Sequence, residues 1–230
     1  ETPKIPLKHH ALFALYAILG VAVNQAFFLH GLKHASATNA ALLAATIPVF
    51  TAGVAAFARQ ERLTIRIGVG IAVATAGVLV LTGVRQISLG NLLITINSLC
   101  YALYLVGIRK LLDEYGALVT IAWVFTYGAL FLAPFGALPI AHEATSWSMR
   151  GIGLIGWFIA IPTIFAYLTN AFALSRAKPS VVAAYIYLQP MLVMFFAGKI
   201  LGEALSPRTI IAGCGILLGV GIVATRKGDA

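Results

Sequence analysis

Apolar residues gather along this chain into long runs separated by short polar connectors, at about 11–30, 38–58, 65–83, 91–109, 118–139, 152–173, 180–200 and 207–225. Each run is near or above the roughly 20 residues that a helix needs to cross the hydrocarbon core of a bilayer. Barrel strands would show alternating segments of about ten residues, and the runs here are continuous, so the pattern predicts eight membrane-spanning helices. Two of the runs carry a helix breaker near the middle. Residues 38–56 read "TNAALLAATIPVFTAGVAA" with Pro48 inside, and residues 180–198 read "SVVAAYIYLQPMLVMFFAG" with Pro190 inside. A proline within a helix removes a backbone hydrogen bond at a cost of about 3 kcal/mol or more, and hydrocarbon has no water to satisfy the freed carbonyl. The pair therefore predicts two helix kinks, either where a helix lines a cavity or within a tightly packed bundle.

The two prolines belong to an internal repeat. Sliding the sequence by 142 positions carries Pro48 onto Pro190, Glu61 onto Glu203, Leu63 onto Leu205, Arg66 onto Arg208 and Gly77 onto Gly219. Ala35, Ala41, Ala55 and Val78 also meet identical residues. The Pro48 run is the second and the Pro190 run the seventh. An odd step of five reverses the direction of crossing, so the repeat is expected to be inverted. The fold class that follows is an all-α integral membrane protein built as an inverted repeat of five-helix units. The eight spans divide into the last three helices of one unit (1–86) and all five of a second (87–230). The same arithmetic, with Glu1 rather than Met in first place, predicts two further helices ahead of residue 1.

Composition agrees with a membrane protein: 60% of the 230 residues are hydrophobic and 10% are charged, whereas a soluble domain carries about 25% charged residues. The net charge of +9 is spread over many loops, which argues for topology rather than a nucleic-acid patch. With alternating loops, 11 of the 16 Lys and Arg fall on the side of residue 1 and 5 on the other. The positive-inside rule then places both ends of the chain in the cytoplasm. Cys100 and Cys214 lie inside spans and behave as small apolar residues, suggesting neither a disulfide nor a metal.

The phrases "LKHASATNAALL", the mid-helix proline and "ERLT" followed by a glycine-rich helix, within residues 24–81, resemble the drug/metabolite transporter superfamily and its EamA-type domain. Residues 173–224, "ALSRAKPSVVAAYIYLQPMLVMFFAGKILGEALSPRTIIAGCGILLGVGIVA", repeat the pattern. The resemblance covers nearly the whole chain. It implies a ten-helix carrier of two inverted five-helix units, both ends cytoplasmic, that exports small metabolites from the cell across the bacterial inner membrane. The superfamily serves amino acids, nucleotide sugars, sugar phosphates, cations and drugs, so the likeness does not fix the solute. This chain departs from it in lacking the first two helices.

Polar side chains inside spans mark the candidate site, because an unpaired polar group in hydrocarbon costs several kcal/mol. Asn97, Tyr101 and Tyr104 share one helix face by their i, i+4, i+7 spacing, and Thr163, Tyr167 and Asn170 share another. Tyr185 and Gln189 form an i, i+4 pair ending beside Pro190, and Asn24 with Gln25 marks the first span. The expected substrate-binding set is therefore Asn24, Gln25, Asn97, Tyr101, Tyr104, Tyr167, Asn170, Tyr185 and Gln189; the alternative is that these groups bridge neighbouring helices. The aromatic members favour an organic solute over a bare inorganic ion. Trp123, Trp147 and Trp157 are read chiefly as interface anchors.

No acidic residue lies in the body of a span, so no carboxylate relay is placed there. Glu61 with Arg66, and Glu203 with Arg208, sit at matching turns and are read as ion-pair clamps on loops. His30 and His34 lack a third ligand and stand beside Lys33, so no metal is expected, and no cofactor either. His9 and His10 are read as a solvated tail pair. Gly215 and Gly219, with Gly213 and Gly221, give the last span a small-residue face, and Gly68, Gly70, Ala72, Ala76 and Gly77 give the third span a similar one, each suited to close helix packing within the chain or to a homodimer. The reading is a secondary carrier for a small organic solute in a lipid membrane, with no nucleic-acid partner. The alternatives are a non-transporting scaffold and, from another class, an intramembrane enzyme, for which no catalytic pair is seen.

Overall fold

A computed structural model describes residues 5–60, 64–82, 88–143, 146–177, 196–202 and 206–224, with residues 179, 182, 189, 192 and 193. Among them the chain is helical, with no strand. In order come α1 (Leu7–Ala17), a π turn (Ile18–Ala22), α2 (Val23–Leu32), α3 (Ala37–Ala44), α4 (Ile47–Phe57), α5 (Ile65–Thr82) and α6 (Leu89–Gly107). Then follow α7 (Arg109–Glu143), α8 (Met149–Phe158), a π turn (Ile159–Phe165), α9 (Ala166–Leu174), a π turn (Ala197–Leu201) and α10 (Pro207–Ala224). Among the described residues, five helical stretches are long and apolar enough to cross a membrane: Leu7–Leu32, Ala37–Phe57, Leu89–Gly107, Arg109–Ala137 and Met149–Leu174; α5 and α10 supply two shorter apolar ones. This is an integral membrane protein. Most of the run at 180–200, with Pro190, lies outside the described residues.

The chain forms two compact units, Glu1–Ala22 with Gly107–Ala177, and Val23–Val106 with Lys178–Ala230. Each takes residues from both repeat segments read from the sequence.

In the second unit, Leu42, Leu43, Val49 and Ala52 pack with Ile67, Ala74, Ile94, Ala212 and Ile216 into one apolar core. The run around Pro48 is two helices. Ser36 caps α3 by accepting the Asn39 N–H at 3.1 Å, α3 ends at Ala44, and α4 starts with Pro48 in its first turn, where a missing N–H costs least. At the break the Leu43 carbonyl accepts the Thr46 N–H at 3.0 Å and the Thr46 hydroxyl at 2.6 Å. The buried Ser98 hydroxyl of α6 lies 3.2 Å from that carbonyl and 3.0 Å from Ile94 O, and its one proton serves either.

α5 and α10 run antiparallel, backbone against backbone. A Cβ on Gly77 would lie 2.7 Å from Ile216 N and 2.9 Å from Ala212 O. A Cβ on Gly219 would lie 2.4 Å from Ala74 N and 2.6 Å from Gly70 O. Arg66, at the start of α5, donates from Nε to the Ile222 carbonyl near the end of α10 at 3.0 Å, and Arg208, at the start of α10, donates to Val80 O near the end of α5 at 2.7 Å. The two sets of contacts interchange under the 142-residue offset: 66 with 208, 80 with 222, 77 with 219, 70 with 212 and 74 with 216. Each guanidinium meets carbonyls that a helix C-terminus leaves without an intrahelical donor. Glu61 and Glu203, the expected ion-pair partners, lie outside the described residues.

In the first unit α1, the π turn at 18–22 and α9 pack on α7. α7 is interrupted at Gly116, whose φ of 74° and ψ of 167° require glycine; the Thr120 hydroxyl bridges the interruption by donating to Leu111 O at 3.1 Å.

Candidate functional site

The expected solute-binding residues fall into groups that belong to different units. In the second unit, α6 presents Asn97 and Tyr104 buried, at 4% and 2% exposure, with Tyr101 half-buried. The Asn97 Nδ2 donates to the Asn24 carbonyl of α2 at 2.8 Å, and the Tyr101 and Tyr104 rings stand 5.6 Å apart. Asn24 and Gln25 are themselves half-buried. One i, i+4, i+7 face of α6 thus carries an amide tied to α2 and two adjacent phenols.

In the first unit, Tyr167 on α9 donates its hydroxyl to Gly20 O at 2.9 Å, and Phe125 packs on its ring at 5.0 Å. Asn170 is half-buried one turn along. Gly20 belongs to the π turn at 18–22, and π turns widen the backbone and frequently mark functional positions. α7 approaches the same turn closely, since a Cβ on Gly128 would lie 2.7 Å from Val21 Cγ1. Thr163, expected on this face, spends its hydroxyl on Phe158 O at 2.9 Å within its own helix. Of the remaining calls, Gln189 is helical and exposed, while Tyr185 and Pro190 lie outside the described residues. Phe125 and the Gly20 carbonyl were not among the sequence candidates; a glycine inside the first span and Pro162 inside the sixth were the available signals for π turns.

Among these groups the chemistry on offer is neutral: amide and phenol donors and acceptors with aromatic faces, suited to orienting a polar organic solute. A groove of about 290 Å³ in the second unit is of another kind, lined by Ala37, Leu192, Val193, Phe196, Ile200 and their apolar neighbours. Among the described residues no three His, Cys, Asp or Glu side chains group as for a metal. Trp147 and Trp157 are exposed, as interface anchors are, and Trp123 is half-buried in an aromatic cluster.

His9 and His10 correct the sequence reading. α1 begins at Leu7, which places both in its first turn rather than in a tail, and His9 is only 8% exposed. His9 Nδ1 lies 2.5 Å from the Tyr115 hydroxyl and 3.3 Å from Glu114 Oε1, and His10 Nδ1 lies 3.1 Å from the Tyr127 hydroxyl. The phenylalanine at i+4 from His9, Phe13, is fully buried against Tyr115 and Trp123, and burial of that ring draws the helix start inward.

Comparison with known proteins gives a consistent class. The model of the EamA-like transporter family matches residues 1–83 and 88–225. An "Uncharacterized transporter" of Archaeoglobus fulgidus is 26% identical over 224 residues, which is 93% of this chain and 76% of that protein. A "Probable terminal-alkyne amino-acid exporter" of Streptantibioticus cattleyicolor is 26% identical over 226 residues, 94% of this chain and 73% of that protein. A solved crystal structure at 20% identity superposes with a TM-score of 0.61, covering 97% of this chain and 90% of the other, and shares the fold.

Proposed function

Because the chain belongs to the EamA-like transporter family, we propose that it is a secondary carrier that exports a small organic solute across the cytoplasmic membrane by alternating access. It is a transporter and not an enzyme. The observation that carries the finer reading is the polar face of α6, where Asn97 and Tyr104 are buried and Asn97 is tied to the Asn24 carbonyl. Such groups bind and orient a polar solute in a medium of low dielectric. Tyr167 and Asn170 add a second polar surface in the other unit. The amino-acid exporter among the relatives favours a zwitterion of amino-acid size, whose ammonium suits phenol oxygens and ring faces. The reciprocal contacts of α5 and α10 support an inverted repeat, and the loop charges support cytoplasmic ends.

The test is counterflow of radiolabelled amino acids in proteoliposomes containing the purified chain. Wild type accumulates label, and Asn97→Ala and Tyr104→Phe slow it several-fold while leaving the protein folded. Equal flux in both variants would remove the α6 face from the solute's path, and no flux of any solute would favour the scaffold reading.

A further inference from the structure

Two histidines at the start of α1 stand apart from the neutral solute-binding groups. Both present Nδ1 to a tyrosine hydroxyl of α7, His9 to Tyr115 and His10 to Tyr127. A neutral imidazole meets the phenol in either tautomer, accepting at Nδ1 or donating Nδ1–H to the phenol oxygen, and the Tyr115 hydroxyl also bonds Glu114. When the ring takes a second proton, both nitrogens are donors. His9 has a partner ready for that state, because the Glu114 carboxylate stands 3.3 Å from its Nδ1. The Glu114 side chain is 43% exposed, which joins the nearly buried imidazole to water. His10 has its own partner for the charged state in Trp123, whose ring centre lies 4.6 Å away at a steep angle, inside the range of cation–π attraction.

The charged and titratable groups around the pair come from both elements that meet there. On α7 they are Glu114, Tyr115 and Tyr127, with Asp113 and Lys110 exposed beside them; on α1 itself Lys8 is exposed; the π turn at 18–22 brings none. Glu114 and Tyr115 immediately precede the Gly116 interruption, and Trp123 and Tyr127 follow it. The two histidines therefore hold the first turn of α1 to both segments of α7.

We propose that His9 and His10, with Glu114, Tyr115, Trp123 and Tyr127, form a proton-binding site that fastens the start of α1 to α7 more firmly when protonated. With a proton on each ring nitrogen, His9 presents Nδ1–H to Tyr115 and Glu114, and the carboxylate offsets the ring's charge. Histidine is the side chain that ordinarily changes charge between about pH 5 and 8, so the grip responds to pH on that face of the membrane. In the carrier reading, on which only this last step rests, the tightened contact slows turnover at low pH.

The five histidines of the purified full chain give few enough ring resonances to follow by 13C NMR as pH is varied, with His9→Gln and His10→Gln as assignments. Glu114→Gln, a change at a half-exposed side chain, moves the His9 ring resonances of the low-pH form, because the charged ring loses its carboxylate partner. In a Trp147→Phe/Trp157→Phe background, Trp123 emission falls as His10 protonates, since an imidazolium quenches an adjacent indole, and His10→Gln abolishes that step. His9 ring resonances unmoved by Glu114→Gln, or Trp123 emission indifferent to His10, overturns the site. Neither readout needs a solute, so they decide the proton site even if no solute is transported and the carrier reading falls. Where solute does move, His9→Gln flattens the pH dependence of flux; a wild-type profile in that variant overturns the control of turnover.

Discussion

Replacing Gly219 by alanine adds one methyl group at a place where two helix backbones meet. The new carbon would lie 2.4 Å from Ala74 N, 2.6 Å from Gly70 O and 2.8 Å from Ala74 Cα. Carbon atoms rest at about 3.5–4.0 Å from their neighbours, so α5 and α10 must part locally by about an ångström, and no side chain is there to swing aside. Overpacking of this kind costs about 1–3 kcal/mol, and the parting also stretches the Arg208 to Val80 and Arg66 to Ile222 hydrogen bonds. Against it runs the helix propensity of alanine over glycine, worth up to about 1 kcal/mol. Gly221→Ala and Gly68→Ala isolate that second effect, because neither position has an atom within 4 Å of the added carbon. Unfolding of the detergent-purified protein by sodium dodecyl sulfate should therefore show Gly219→Ala less stable than Gly221→Ala by about 1–3 kcal/mol. Gly77→Ala should match it, its carbon falling 2.7 Å from Ile216 N, and the double variant should cost less than the sum because one parting accommodates both. A Gly219→Ala protein as stable as Gly221→Ala would refute the backbone contact.

Arg66→Met and Arg208→Met each remove a charged donor from the facing helix end; as both residues are exposed, each should cost about 1 kcal/mol or less in the same unfolding assay, and the two losses should be alike. Ser98→Ala removes a buried hydroxyl shared between Leu43 O and Ile94 O and should cost about 0.6 kcal/mol, the average for such bonds in membrane proteins. Tyr167→Phe deletes the bond to Gly20 O, keeps the ring on Phe125 and should likewise cost about 0.6 kcal/mol in unfolding.

The apolar runs made the helices legible, since length and continuity in a bilayer leave few other solutions. The run at 11–30 is a helix over Leu7–Leu32, and those at 91–109 and 152–173 are found within a few residues of their expected ends. What periodicity does not carry is the path of a helix within its length. The π turns at 18–22 and 159–165 leave the apolar pattern almost unchanged, and the charged stretch before residue 118 reads as a connector although α7 runs through it, interrupted at Gly116. The glycine faces were visible as faces, but which glycines meet a backbone depended on the crossing: Gly77, Gly215 and Gly219 do, Gly68 and Gly221 do not. The i, i+4, i+7 spacing put Asn97 beside Tyr101 and Tyr104, whereas the partner of Asn97, a main-chain carbonyl, has no signature in sequence. His9 and His10 were misjudged because tail composition hid the pull of the buried Phe13 ring.

The break between α3 and α4 is bonded from within. Thr46 closes on Leu43, Ser98 stands by, and every residue from Ala40 to Val49 is buried. Opening that break would strip the carbonyl of its hydroxyl donor and lay apolar surface open, so the junction of α3 and α4 is a set joint. It should survive changes of detergent, lipid and hydration alike, and any flexing of the chain during its work must be found in other parts.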